Sequence, residues 1–293
     1  RPYDVTAQTL PLLMGVDTDT VEARFNTPAK IATSFEFQST APNGVDSWRA
    51  AKKTSRIGLY KNYVPAIDEG WTRWLLEDFQ FPYAGVQNPD IEAGNLRQRF
   101  DVLVFPDQPA SQMASGFEPG TMPQEYTGGL NSRAAANLRT FAEQGGTLVF
   151  LNRAANYAVD HLHLDVKNVV AGVPNRDFYS PGSLLNATVD THSPLAYGLP
   201  ENIAIWSEES PAWEVPSGTK DSVVIRYPED HLLASGWLLG ENYIKGRAAL
   251  VEVPIGQGRA VLFGFRPQYR AQSYQAFKVF FNSLALSGTR AAP

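Results

Sequence analysis

The chain has 293 residues, a formal net charge of -5, 43% hydrophobic residues and no cysteine. This length suffices for one large domain or a domain with an extension, and the apolar content argues against intrinsic disorder. The acidic balance with dispersed Lys and Arg argues against a nucleic-acid partner, and no apolar run is long enough to span a membrane. The lack of cysteine excludes thiol nucleophiles, thiolate zinc sites and disulfides.

Residues 1–55 have an extended, β-rich pattern. The alternation at 21–25 is typical of a half-buried strand, and Asn43-Gly44 is typical of a turn. We expect this lead-in to add edge strands or to lie along the main sheet. The chain begins at Arg1 in sequence that already has a structured pattern, as expected for a piece of a longer protein or a segment cut by choice.

From Arg56 onward, strands and helices alternate, which predicts an α/β domain over 56–293 with a parallel sheet covered on both faces. The predicted strands are Ile57–Tyr60, 101–105 and Thr147–Leu151. A helix is predicted over 67–79 with Asp68 as its N-cap, and its buried face would carry Trp71, Trp74, Leu75 and Phe79. A second helix is predicted over 133–144 and is ended by Gly145-Gly146.

The region from about 165 to 265 is rich in turns and predicts a β-rich insertion. Pro181-Gly182 is one of its turn signals, and short strands are predicted at 203–206 and 222–225. A hairpin follows, with strands at 248–253 and 259–265 around a glycine turn. The last helix begins near Ser273, and its apolar face is expected to pack on the sheet. That face carries Phe277, Phe280, Phe281 and Leu284.

Ligands of parallel α/β sheets bind beyond the carboxyl ends of the strands, so the polar residues there are candidates. They are Lys61, Asn62, Asp107, Gln108, Asn152, Arg153 and the stretch 266–270. We select five of them for a small polar ligand: Asp107, Gln108, Asn152, Arg153 and Arg266. The alternative interpretation is that strand ends are polar because they meet water.

No catalytic constellation is recognisable. A nucleophile elbow needs Ser or Cys on the turn after a strand, and the turn after Thr147–Leu151 carries Asn152. The acidic pairs Asp68-Glu69 and Glu208-Glu209 are not interpreted as acid/base carboxylates, because adjacent side chains point in different directions and the first pair suits a helix N-terminus. No phosphate loop or dinucleotide fingerprint is present, so no cofactor is predicted.

Two further groups of side chains have a functional and a structural interpretation. His161 and His163 would share a face of a strand and could bind a metal, but they follow a helix and we favour a solvated helix end. Trp206, Trp213 and Trp237 could form a sugar-stacking platform, although core packing is the more common use of tryptophan. No metal site is therefore assigned.

The unit 56–151, the hairpin and the last helix resemble the class I glutamine amidotransferase-like fold, which is flavodoxin-like. In that family a Cys follows the strand matched by Thr147–Leu151, and a His and a Glu follow a late strand. The match places Asn152 at the Cys position and finds no His at 266–270. The resemblance implies a degenerate member without amidotransferase activity.

A second resemblance covers nearly the whole chain. The phrases RPYDVTA at 1–7, LPLLMGV at 10–16, FYSPGSLL at 178–185 and GFRPQYRAQ at 264–272 are similar to the region behind the catalytic domain of large bacterial zinc carboxypeptidase-like proteins. This implies a secreted or periplasmic accessory domain, without catalysis of its own, that partners the peptidase domain of the same polypeptide. Its role would be stability, assembly as a homodimer, or substrate presentation.

The zinc motif of that family, His-x-x-Glu, does not occur in this chain. The third residues after the four histidines are Leu164, Val166, Leu195 and Ala234. The peptidase chemistry is therefore expected outside this chain. The alternative is an independent module that binds a small polar ligand or a sugar at the strand ends, and an unrecognised hydrolase ranks last.

Overall fold

The computed structural model describes residues 9–16, 55–216 and 222–286. Most of the predicted lead-in, including the strand at 21–25, lies outside these residues. The part that is described, Thr9–Met14, is a helix and not a strand. Its Leu13 is buried in a small apolar cluster with Trp206 and Tyr269.

The described residues form one twelve-stranded sheet and nine helices. The strands are β1 (Ile57–Tyr60), β2 (Tyr83–Val86), β3 (Val102–Phe105), β4 (Thr147–Leu151), β5 (Lys167–Asn168), β6 (Pro181–Val189), β7 (Asn202–Glu208), β8 (Trp213–Glu214), β9 (Val223–Arg226), β10 (Leu233–Ser235), β11 (Ala248–Ile255) and β12 (Gly258–Phe263). The helices are α1 (Thr9–Met14), α2 (Ile67–Asp78), α3 (Asn88–Ala93), α4 (Leu96–Arg99), α5 (Ala110–Ser115), α6 (Ser132–Glu143), α7 (Ala154–His161), α8 (Tyr269–Gln272) and α9 (Tyr274–Ala285). None of these helices is long and apolar enough to cross a bilayer.

One half of the sheet is parallel, with the strands in the order β2-β1-β3-β4-β12. Numbered along the chain, this is the order 2-1-3-4-5 of flavodoxin-like sheets. The predicted α/β fold is therefore confirmed. Strand β12 is in register with β4 over five residue pairs, from Arg259 opposite Thr147 to Phe263 opposite Leu151.

The other half of the sheet is antiparallel and continues from β12 through β11, β9 and β6 to β10. The hairpin of β11 and β12 was predicted and is confirmed, with Ile255 opposite Gly258 at its turn. Strand β7 pairs with β6, and the short β8 pairs with β11 and β5. Strand β12 is thus the junction between the two halves.

Helices cover both faces of the parallel half of the sheet. Alternate strand residues therefore belong to two different hydrophobic cores, one on each face. Val102 and Val104 pack with Leu75 of α2 and with the phenylalanines of α9. Leu103 and Phe105 pack on the opposite face with helices α6 and α7. Such alternation follows from the two-residue period of a strand.

Three local predictions are wrong. Asp68 is not an N-cap, because Ala66 precedes helix α2 as its cap and Asp68 lies buried in the first turn. The buried face of α2 carries Leu75 and Leu76, while Trp74 is 43% exposed. Pro181-Gly182 is the start of the nine-residue strand β6 and not a turn, since Gly182 at φ +112° allows an irregular pairing at the strand end.

Candidate functional site

Three charged residues meet at the carboxyl ends of adjacent parallel strands. Asp107 follows β3, Arg153 follows β4 and Arg266 follows β12. Because β3, β4 and β12 are neighbours with the same direction, their ends lie at the same edge of the sheet. The sequence prediction placed these residues at strand ends, and the structure brings them into contact.

The Asp107 carboxylate accepts six hydrogen bonds and is 1% exposed. Its Oδ1 accepts from Asn152 Nδ2 at 3.1 Å, from the Arg153 backbone N at 3.0 Å and from Arg153 Nε at 2.9 Å. Its Oδ2 accepts from Nη2 of Arg153 and Nη2 of Arg266, both at 2.7 Å, and from Arg266 Nε at 3.2 Å. A buried carboxylate needs such compensation, because burying an unpaired charge is very costly.

Three more carboxylates surround the two guanidinium groups. Arg266 Nη1 donates to Glu208 Oε2 at 2.6 Å, and Arg153 Nη1 donates to Glu209 Oε2 at 2.5 Å. Asp68 Oδ2 lies 3.5 Å from Arg266 Nη2, and Gln268 Nε2 donates to Asp68 Oδ1 at 2.6 Å. Together, Asp68, Asp107, Arg153, Glu208, Glu209 and Arg266 are called the strand-end cluster below.

The environment moves the pKa values of the two buried aspartates in opposite directions. Burial raises the pKa of Asp68 to about 6, and the attraction of Arg266 offsets only part of this effect. Burial would also raise the pKa of Asp107. Hydrogen bonds from Arg153 and the charge of Arg266 outweigh it, so the Asp107 pKa lies below its ordinary value. Asp107 is therefore a permanent anion at neutral pH, while Asp68 can take up a proton in mildly acidic solution.

Asn152 occupies the turn between β4 and α7 and is fully buried. Its backbone is left-handed, with φ +50°, a conformation that asparagine adopts more readily than most residues. Its Nδ2 donates to Asp107 Oδ1 and to the Glu208 backbone O, both at 3.1 Å. Its Oδ1 accepts from Ser210 Oγ at 2.7 Å. The side chain at the elbow position is thus an amide that ties three segments together.

Gln108 is buried but belongs to a different set of contacts. Its Oε1 accepts from Asn62 Nδ2 at 3.3 Å, and its Nε2 donates to the Val64 backbone O at 3.2 Å. Asn62 also donates to the Gln112 backbone O at 2.9 Å. These bonds hold the loop after β1 against the segment after β3.

A cavity of about 280 Å³ lies in front of the strand-end cluster. We call it the strand-end cavity. Its lining comprises Pro65, Ala66, Ile67, Asp68, Trp71, Asp107, Gln108, Pro109, Gln112, Arg153, Glu208, Arg266, Tyr269 and Arg270. Four of the five predicted residues line it, whereas Asn152 is enclosed behind them. That they bind a ligand stays a prediction.

Several residues in and around the strand-end cluster have left-handed backbone. Asn152, Glu209, Arg270 and Ala271 all have φ between +46° and +56°. Left-handed backbone is unfavourable for residues other than glycine, and such residues cluster at functional sites when the surrounding structure holds them. Arg270 and Ala271 form the link between β12 and helix α9, so this strain positions one wall of the cavity.

The acidic pairs were not counted among the candidates, yet Asp68 and Glu208 both lie beside Arg266 in the strand-end cluster. Asp68 is 6% exposed, and the Glu208 carboxylate contacts Arg266. Adjacent side chains do point in different directions, but Asp68, Glu208 and Glu209 all contact guanidinium groups of the cluster. The sequence carries no local signal for this, because Asp68 and Arg266 are far apart in the chain.

The other candidates have structural positions. His161 ends helix α7 and stacks on Tyr157, and no group of three His, Asp or Glu in the described ranges could hold a metal ion. Trp206 and Trp213 are buried, as core packing predicts, whereas Trp237 is 46% exposed. Trp206 stacks on Tyr269 with ring centroids 3.7 Å apart.

No family model matches the chain, and no curated protein is similar to it at a significant level. Among solved structures, the chain is similar to a β-galactosidase from Bacillus circulans sp. alkalophilus, with 12% identity and a TM-score of 0.47 over 77% of this chain and 30% of that one. A glutamine amidotransferase from Thermotoga maritima is similar at 8% identity and a TM-score of 0.46, over 79% and 96% of the two chains. A putative ThuA-like protein from Bacteroides uniformis is similar at 12% identity and a TM-score of 0.43, over 88% and 95%. The chain thus spans about a third of the length of the β-galactosidase.

Proposed function

We propose that this chain is a binding domain that holds a small polar ligand in the strand-end cavity and performs no catalysis of its own. The observation that carries the proposal is the buried wall of alternating carboxylates and guanidinium groups around Asp107. Its position at the carboxyl ends of parallel strands is where ligands of such sheets bind. A volume of about 280 Å³ suits a ligand at the small end of the usual range.

The chemistry of the lining supports binding rather than group transfer. No Ser, Thr, Lys or His is among the described residues that line the cavity. The residue at the elbow, Asn152, uses its amide in hydrogen bonds to Asp107, Glu208 and Ser210. The carboxylates that do line it, Asp68, Asp107 and Glu208, are each ion-paired with Arg266, which supports a binding role.

The proposal does not depend on a peptidase parent. The resemblance to zinc carboxypeptidase-like proteins implies an accessory domain, and in that setting the cavity would serve substrate presentation. If the chain is an independent module, ligand binding in the same cavity would itself be the function. Fusion to a peptidase domain and a secreted location therefore remain proposals that follow from the resemblance alone.

The experiment is a thermal-shift screen with amines, sugars, polyols, amino acids and short carboxylic acids. A cavity-filling variant, Gln112→Trp, keeps the backbone oxygen that Asn62 uses but places an indole in the cavity. The matched control is Ser111→Trp, one residue earlier on helix α5, at an exposed position outside the lining. We expect at least one compound to raise the melting temperature of the wild type and of Ser111→Trp. The same compound should leave the melting temperature of Gln112→Trp unchanged. Equal shifts in both variants, or no shift with any compound, would refute the proposal.

A further inference from the structure

The hydrogen-bonding state of the strand-end cluster favours a ligand that donates hydrogen bonds. Every nitrogen of the Arg153 guanidinium donates to a carboxylate, through Nε and Nη2 to Asp107 and through Nη1 to Glu209. The same holds for Arg266, whose Nε and Nη2 donate to Asp107 and whose Nη1 donates to Glu208. Most of the donor capacity of these two groups is thus used in charge-assisted bonds, the strong ones in proteins, and an anionic ligand would also meet the surrounding carboxylates.

The acceptors of the cavity, in contrast, are not all used. Asp68 lines the cavity and is more than nine-tenths buried, yet its Oδ2 accepts no hydrogen bond from any described residue and has only Arg266 at 3.5 Å. Glu208 receives both of its bonds, from Arg266 and from Trp206 Nε1, on Oε2, so its Oε1 has no donor in the described ranges. Both oxygens are therefore available to a ligand that donates hydrogen bonds, and hydrogen bonds to charged groups are among the stronger ones.

The charge count points in the same direction. Three carboxylates line the cavity, Asp68, Asp107 and Glu208, together with three guanidinium groups, Arg153, Arg266 and Arg270. Glu209, which is ion-paired with Arg153, adds a fourth carboxylate. With all of these groups ionised, one negative charge is left uncompensated, and a single positive charge on the ligand would neutralise it.

Part of the remaining wall is apolar and aromatic. Trp71 and Ile67 lie one helical turn apart on α2 and both line the cavity, and Ile67 is 80% exposed. The Trp71 ring contacts Trp74 edge-on at 6.4 Å between centroids. A tryptophan on the cavity wall beside carboxylates suits a cation with a carbon skeleton, because the ring attracts positive charge and the skeleton covers apolar surface.

We propose that the strand-end cavity binds a small organic monocation, an alkylammonium or an alkylguanidinium. Its N–H groups would donate to Asp68 Oδ2 and Glu208 Oε1, and its carbon skeleton would lie against Trp71 and Ile67. This inference rests on the proposed function, because it names the ligand class of the same cavity.

The test is isothermal titration calorimetry at about pH 7.5 with matched probes. The cations are n-butylammonium and methylguanidinium, their neutral counterparts are n-butanol and N-methylurea, and acetate and glucose represent anions and sugars. We expect each cation to bind at least tenfold more tightly than its neutral counterpart. Glu208→Gln should weaken cation binding by about tenfold or more, since a hydrogen bond to a charged group is lost. Glu143→Gln, at an exposed position on helix α6, is the control and should have no effect.

A second variant covers the case in which Glu208→Gln does not fold. Trp71→Leu leaves the strand-end cluster intact and should weaken the cations several-fold while leaving acetate and glucose unchanged. Tighter binding of glucose or acetate than of the cations, abolished by Gln112→Trp, would overturn the cation inference and leave the binding function standing. No binding of any probe to the wild type would overturn both.

Discussion

Replacing Asp107 with Asn should destabilise the fold more than any other isosteric change at the strand ends. Asparagine can place its Oδ1 where the Asp107 Oδ1 accepts three hydrogen bonds. Its Nδ2 would then replace Oδ2 and face three donors, Nη2 of Arg153 and both Nε and Nη2 of Arg266. Three charge-assisted bonds would be lost and donors would oppose donors.

The magnitude follows from how well the two guanidinium groups are compensated elsewhere. A charge-assisted bond contributes about 1.5–3 kcal/mol. Arg266 would keep Glu208 and Asp68, and Arg153 would keep Glu209, so the loss is smaller than the sum of three bonds. Removing one partner of a buried ion pair costs about 3–5 kcal/mol, and we expect a value in this range because the Arg266 side chain is only 13% exposed.

The assay is urea denaturation followed by tryptophan fluorescence and by far-UV circular dichroism. Asp160→Asn, at an exposed position on helix α7, is the control and should change the unfolding free energy by less than about 0.5 kcal/mol. A double-mutant cycle with Arg266→Gln should give a coupling above about 1 kcal/mol. A loss below about 1 kcal/mol in Asp107→Asn, or the absence of coupling, would refute the view that Asp107 organises the cluster.

Two further predictions concern the same site. Asn152→Ala and Asn152→Gly both remove the amide hydrogen bonds, but alanine also resists the left-handed backbone at φ +50°, so it should be the less stable variant by about 1 kcal/mol in urea denaturation; equal stabilities would show that the backbone relaxes. Burial raises the pKa of Asp68 from 3.8 in the unfolded chain to about 6 in the folded protein, where Arg266, Asp107, Arg153 and Glu208 surround it. The folded state therefore holds the Asp68 proton more tightly than the unfolded state does. As the pH rises from about 4 to about 6, this contribution to the free energy of unfolding is lost. The stability of Asp68→Asn relative to wild type should therefore improve by roughly 2–3 kcal/mol between about pH 4 and pH 7, as measured by urea denaturation at each pH, and a constant difference would contradict the raised pKa.

The parallel half of the sheet was largely predictable because its signals are local. Strands β1 and β4 are short apolar runs, and helix α6 has a clear apolar face and an asparagine that caps it through its side chain. Strand β2 was missed, because at the edge of the sheet its residues Ala84 and Gly85 are exposed and give no apolar pattern. Strand β6 was missed because its first two residues, Pro181 and Gly182, are typical of turns.

The candidate site was predictable only as far as strand ends could be located. Asp107, Arg153 and Arg266 were selected because each follows a strand, and the strand order of the sheet brings them together. Asp68 and Glu208 were set aside because adjacent acidic residues point in different directions, and their partner, Arg266, is too remote in sequence to be recognised. Burial of an acidic side chain depends on such tertiary contacts, so the spacing of residues in the sequence does not predict it.

Strand β12, the junction of the two halves of the sheet, has a consequence for synthesis on the ribosome. Strand β4 emerges well before β12, its parallel neighbour, and all of β5 to β11 must be translated in between. Until then, β4 is an apolar strand with an open edge, the type of surface that invites pairing with other chains. The nascent chain is therefore exposed to such pairing until β12 docks on β4. Substitutions that delay the docking of β12 should lower soluble yield more than they lower the stability of the finished protein.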